Sequence, residues 1–158
     1  MKNNVLKYII FAACSSLLIF IDQYTKYLAS VNLKGNTSYV LIDGILELVY
    51  TENTGAAFGI LQGKQVLFYI LTVIVILALI LLLFGLKLTK HNIPYFIFLI
   101  LIFSGAIGNF IDRVKNRFVV DFIYFKPIDF PVFNFADICI TCGVILAIIA
   151  TLTIYKNE

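Results

Sequence analysis

Apolar residues run in long stretches along this chain, and the charged residues gather in clusters between them. Gln65 to Leu86, Asn92 to Ile111 and Ile138 to Tyr155 are uncharged. Each is long enough to cross a hydrocarbon core, which takes about 20 apolar residues in a helix. A shorter run, Tyr8 to Ile21, stops at Asp22, yet helical sequence continues through Asp22-Gln23-Tyr24-Thr25-Lys26 to Val31. That predicts a fourth span with a polar outer end. The expected spans are about 8–30, 65–86, 92–113 and 132–155, with outer loops at about 31–64 and 114–131. All fall within a single membrane-embedded domain over residues 1–158.

The segments between spans carry their own signals. Tyr39 to Ile42 and Ile45 to Tyr50 are strand-like and flank Asp43-Gly44, a dipeptide favoured in two-residue hairpin turns. A small outer β-element is predicted there. It leads into Thr51-Glu52-Asn53-Thr54-Gly55-Ala56-Ala57-Phe58-Gly59, where small residues permit close backbone approach and Asn53 offers both donors and acceptors. The link Lys87 to Asn92 is basic and precedes Pro94, which suits the first turn of a new helix. Lys115 to Pro131 reads as a second outer loop, with Pro127 and Pro131 around Asp129. The fold class is therefore an all-α polytopic membrane protein: four transmembrane helices with a small extracytoplasmic β-hairpin.

Composition agrees with the pattern. Of the 158 residues 61% are hydrophobic and 13% charged, with a mean hydropathy of +1.00, outside the balance of soluble domains. An even number of spans puts both termini on one side. Lys2, Lys7, Lys87, Lys90 and Lys156 are assigned to the cytoplasm, with weak support from the distribution of basic residues. The acids are more telling. Asp22, Asp43, Glu47, Glu52, Asp112, Asp121, Asp129 and Asp137 fall at outer span ends or in outer loops, and only Glu158 lies inside. The opening also resembles a cleaved secretory signal, with Lys2 and Lys7 before a short apolar core. Apolar sequence beyond Cys14, and Phe11 three places before that point, favour a retained anchor. Cys14, Cys139 and Cys142 sit in apolar helix sequence and offer no disulfide framework. Cys139 and Cys142 lack a second ligand pair nearby, so they read as buried small hydrophobes, and no metal is expected.

Candidate chemistry concentrates in three places. In Gly108-Asn109-Phe110-Ile111-Asp112-Arg113, the polar Asn109, Asp112 and Arg113 follow an i, i+3, i+4 spacing and are predicted to point together. Asp121 follows in Val119-Val120-Asp121-Phe122, and Phe133-Asn134-Phe135-Ala136-Asp137 opens the last span. Ionisable groups at membrane depth are costly unless paired or wet, so their presence points to function. Two acids brought together, Asp121 and Asp137, would share a proton, and that is a state that amide hydrolysis can use. Plainer readings stand beside this one. Asn134 and Asp137 can be a helix cap, Asp121 a loop acid answering Lys115, Arg117 or Lys126, and Asp22 and Lys26 a simple i, i+4 ion pair. A small transporter or proton-conducting protein would also use intramembrane acids, though nearer the midplane.

Five segments together resemble the signature of lipoprotein signal peptidases: Asp22 to Lys26, Asn53 to Gly59, Gly108 to Arg113, Val119 to Phe122 and Phe133 to Asp137. They occur in that family's order and four-span layout. The resemblance implies an aspartyl endopeptidase of the signal peptidase II type, with Asp121 and Asp137 as the catalytic acids. By the same match Asn109, Arg113 and Asn134 line and brace the site, with Asp112 beside them in support. Asn53 and Gly55 belong to an outer cradle that meets substrate, and Asp22 and Lys26 are expected to brace the site. The implied substrate is a prolipoprotein whose cysteine carries diacylglycerol, cut on the amino side of that cysteine. No metal or organic cofactor and no nucleic-acid partner is implied. The expected setting is a monomer among the lipids of the bacterial cytoplasmic (inner) membrane, with its active site at the extracytoplasmic face.

Overall fold

The computed structural model describes residues 2–55 and 60–155. Ala56 to Gly59 of the small-residue segment, and Lys156 and Glu158, lie outside the described residues. Four helices are long and apolar enough to cross a membrane: α1 (Lys2–Asn32), α2 (Gln65–Gly85), α3 (Ile93–Asn116) and α4 (Phe135–Tyr155). The third is the core. Of its most apolar stretch 44% is buried inside the protein, against 11% for α2, and the other three helices pack around it. Pro94 stands in the first turn of α3, where a missing N–H costs no intrahelical bond. At the far end Arg117 takes a left-handed conformation and its N–H bonds the Arg113 carbonyl.

Small residues decide how closely α3 meets its neighbours. A Cβ on Gly108 would collide with the Asp22 carboxylate of α1. Glycine there lets the Asp22 carboxylate lie against the α3 backbone, a close approach that small residues commonly permit between helices in lipid. An apolar core of Phe11, Leu79, Leu83, Phe96, Leu99, Ile100 and Ile102 fills the end of the bundle away from the site. Within this apolar end Lys7, assigned from sequence to the cytoplasmic side, is only 1% exposed. Its ammonium donates to the carbonyls of Leu83 and Leu86, both at 2.8 Å. These carbonyls close α2 and have no partner within the helix, so the cation satisfies them and meets the negative end of the helix dipole.

At the other end lies a three-stranded antiparallel sheet in the order β1-β2-β3, with β1 at Tyr39–Ile42, β2 at Leu46–Asn53 and β3 at Val119–Phe125. The hairpin is where the sequence places it, but its connection has three residues. Gly44 takes φ +66° and the Ile45 N–H returns to the Ile42 carbonyl at 3.0 Å. The third strand is new. It sits inside the segment read from sequence as a loop, and pairs Thr51 with Asp121 and Asn53 with Val119. Its opposite edge is also taken: Phe133 bonds Phe122 and Ile123, and the Asp112 carboxylate accepts the Val120 N–H at 3.1 Å. Val120 and Phe122 pack on Ala29 of α1, which ties the sheet to the bundle.

Candidate active site

Four carboxylates gather where the sheet meets the helices, and they form two pairs. Asp22 on α1 and Asp112 on α3 flank Lys26, whose ammonium lies 2.9 Å from one and 3.2 Å from the other. All three side chains are 5% exposed or less. This is not the exposed i, i+4 pair worth a few tenths of a kcal/mol. Removal of one partner would strand a buried charge. The Gln23 amide reaches Asp22, Asp112 and the Gly108 carbonyl within 3.2 Å. The remaining lone pairs hold backbone: Asp22 accepts the Ala136 N–H at 2.9 Å and Asp112 that of Val120. Each of these acids thus grips the residue just before Asp137 or Asp121.

That second pair faces a cavity of about 530 Å³. Asp121, on β3, accepts from Asn134 Nδ2 at 2.6 Å and from Asn53 Nδ2 at 2.9 Å. Asp137, in the first turn of α4, accepts from Asn109 Nδ2 at 2.8 Å and from the Asn134 N–H at 3.1 Å. Asn134 is fully buried and touches both acids. Its Oδ1 in turn accepts the Asp137 N–H at 3.1 Å, which makes a reciprocal capping box at the start of α4. The cap and the site are therefore one structure, and the helix start aims the Asp137 carboxylate. Asn109 links the pairs, since its Oδ1 accepts from Lys26 at 2.9 Å and from Asn134 at 3.1 Å.

Burial pushes the Asp121 carboxyl up to about 6, and the Asp137 charge adds to this while the amides of Asn53 and Asn134 oppose it. On the cavity wall the Arg113 guanidinium reaches the Gly55 carbonyl at 3.2 Å and lies over the Phe68 ring, 4.7 Å from its centre. Its Nε is buried and has no hydrogen-bond partner among the described residues. Asn53 is oriented by its own loop, because the Gly55 N–H donates to its Oδ1 at 2.9 Å. Below Asp137 the cavity continues along Ile138, Thr141 and Cys142, an apolar wall for most of its area.

Every site residue named from sequence lies in this assembly, though not always as expected. Asn53, Gly55, Asn109, Arg113, Asp121 and Asp137 line the cavity. Asn109 and Asp112 meet at the Lys26 ammonium, and Asp112 also accepts the Val120 N–H, while Arg113 reaches the Gly55 carbonyl on the cavity wall. Asp121 is not a loop acid answering a neighbouring cation, since it sits on a strand and Lys126 pairs with Glu47 at 2.8 Å. Cys139 is buried as expected, whereas Cys142 is exposed along the cavity wall. Gln23, Phe68 and Gly108 were missed. Gln23 stands inside a quoted motif, but a lone amide on a helix carries no sign of whom it bridges.

Fold and cavity together define a multi-pass membrane enzyme. The backbone is similar to a bacterial membrane enzyme solved by the in meso method at 2.3 Å resolution, with a TM-score of 0.85 and 40% identity, over 94% of this chain and 91% of that one. A second such enzyme, solved by the same method at 1.9 Å, gives a TM-score of 0.80 at 40% identity over 90% and 92% of the two chains. Among curated proteins, the lipoprotein signal peptidase of Staphylococcus aureus is 42% identical over 143 residues, 89% of this chain and 86% of that protein. The Enterococcus faecalis lipoprotein signal peptidase is 42% identical over 137 residues, 87% and 84% of the two chains. The family described as signal peptidase (SPase) II matches residues 14–153, and the chain belongs to that family.

Proposed function

We propose that this protein is an aspartyl endopeptidase that removes signal peptides from diacylglyceryl-modified prolipoproteins, cutting on the amino side of the lipidated cysteine. The family and the relatives' names support the peptidase activity. With that assignment the transport reading loses its support. The observation that carries the aspartyl mechanism is the joint hold of Asn134 on Asp121 and Asp137 at one cavity. Burial of Asp121, with the Asp137 charge beside it, raises the Asp121 carboxyl and so supplies the protonated member of the pair.

In this reading the ionised member draws a proton from water, and the water attacks the scissile carbonyl. The protonated member hydrogen-bonds that carbonyl oxygen and then helps protonate the leaving nitrogen. Arg113 Nε, without a hydrogen-bond partner among the described residues, is a donor for the peptide backbone, and Asn53 and Gly55 line the same cavity beside it. Asn109 and Asn134 hold the acids in register, and Asp22, Lys26 and Asp112 brace the segments that carry them. No metal or organic cofactor enters these steps. A signal helix and acyl chains must stay in lipid while the scissile bond meets water, so the carboxylates belong at the extracytoplasmic face of the bacterial cytoplasmic membrane. The whole chain acts as one domain and as a monomer.

The test is cleavage of a lipidated precursor by purified protein. Asp121→Asn and Asp137→Asn each reduce turnover by about a thousandfold or more, as loss of a catalytic group does. An unlipidated precursor stays uncut. Normal processing by either variant refutes the dyad.

A further inference from the structure

The strand β1 is anomalous for an element outside the helices. Tyr39, Val40, Leu41 and Ile42 are all exposed, and so is Ile45, the last residue of the turn. A strand at the edge of a water-facing sheet usually alternates apolar and polar side chains or carries charge, because an apolar edge invites aggregation. Here both faces are apolar. The ridge extends past the hairpin, since the Lys126 N–H bonds the Ile45 carbonyl at 3.0 Å and Ile128, two residues on, is 68% exposed.

Position explains the composition. The sheet crosses the end of α1, where Ala29 packs on Val120 and Phe122. Tyr39 then reaches down beside the helix and lines a second cavity, of about 440 Å³, with Thr25, Leu28 and Asn32. Thr25 lies seven residues before the last residue of α1, so the cavity that Tyr39 lines reaches roughly 10 Å inward from that helix end at 1.5 Å per residue. The flank of α1 at this level is apolar and aromatic: Tyr24, Tyr27, Leu28 and Val31 are exposed. Aromatic residues at the end of a span mark the lipid–water boundary. The nearby cations Lys34 and Lys126 are neutralised by Glu52 and Glu47 at 2.8 Å, which lowers the cost of placing the sheet against lipid.

We propose that β1 and its turn are a membrane-surface anchor, with Leu41, Ile42 and Ile45 set into the acyl region of the leaflet next to the sheet and Asp43 left at head-group level. The occupant of this face is lipid, continuous with the lipid around α1. Such an anchor fixes the height of β2, whose last residue, Asn53, bonds Asp121.

The chain contains no tryptophan, so a single one introduced at the ridge is an unambiguous reporter. Leu41→Trp and Ile42→Trp, both at exposed positions, are reconstituted into phosphatidylcholine vesicles with or without brominated acyl chains. Phe20→Trp, on the exposed side of α1, serves as the lipid-facing reference. The expected result is blue-shifted emission that falls by about half or more in brominated vesicles, as for the reference, because an interfacial apolar side chain sits near the acyl boundary. Emission quenched by aqueous iodide and untouched by bromine overturns the proposal. So does emission shielded from both but dependent on protein-to-lipid ratio, which would mean that a second copy covers β1. None of these readouts depends on peptidase activity.

Discussion

Two pairs of carboxylates lie within one polar cluster, and they differ first in their partners. Asp22 and Asp112 have an ammonium between them; Asp121 and Asp137 have only amide and backbone donors. An ammonium at 2.9 and 3.2 Å ties the first pair together, and the contacts left over go to protein backbone or Gln23. That pair is a brace. The second pair has no ion partner within salt-bridge reach among the described residues, and it opens on a cavity. Burial without a cation pushes the Asp121 carboxyl up to about 6, and in the proposed mechanism a carboxyl that can hold or release a proton near neutral pH is a reagent. The lesson is that carboxylate chemistry here is assigned by its neighbours rather than by depth.

The largest effect expected is the loss of cleavage in Asp121→Asn and Asp137→Asn, and the comparison adds that each lowers the melting temperature less than breaking the braced trio does, since an amide keeps the size and one of the two accepting oxygens. Lys26→Met tests the other pair. It leaves two buried carboxylates facing each other and should cost about 3–5 kcal/mol of stability, read as a lower thermal midpoint in detergent. Adding Asp22→Asn and Asp112→Asn to Lys26→Met should recover part of that loss. If Lys26→Met alone melts like the wild type, the distinction between brace and reagent fails. Gly108→Ala is smaller, about 1–3 kcal/mol, because its methyl meets the Asp22 carboxylate and pushes α1 from α3.

The subtlest test is pH. A carboxyl raised to about 6 is protonated below that pH and loses its proton above it. The monoprotonated pair is therefore depleted as pH rises, and kcat/KM of the free enzyme falls on its alkaline side. Asn53 donates to the ionised form and so lowers this value. Asn53→Ala removes the donor, raises the Asp121 pKa and moves the alkaline limb to higher pH, by about one unit or less. A limb that stays in place while the rate drops would make Asn53 a substrate contact only.

The helices were legible because a bilayer demands unbroken apolar runs, and no other solvent does. β3 was not, although Val119-Val120-Asp121-Phe122-Ile123-Tyr124-Phe125 is rich in β-branched and aromatic residues. The prolines behind it and the short loop around it drew the reading toward irregular structure. Within the site, the motifs located the acids but could not say which had a cation. Asp22 and Lys26 share a turn of helix and announce themselves, whereas Asp112 reaches Lys26 from another helix altogether. Spacing along a chain reports on one face of one helix. Asp112 shows the limit, since its spacing puts it with Asn109 at Lys26 but says nothing of the Val120 N–H it also holds.

Lys7 bears on biogenesis. Its ammonium is stable at the apolar end of the bundle only because the last carbonyls of α2 receive it, and α2 is separated from Lys7 by more than half a hundred residues of chain. A nascent chain that has delivered α1 alone has nothing to offer that charge except water and head groups. The first two spans are thus obliged to settle as a stitched hairpin, with amine-acylating reagents reaching Lys7 in a chain stopped before α2 and excluded once the second helix arrives.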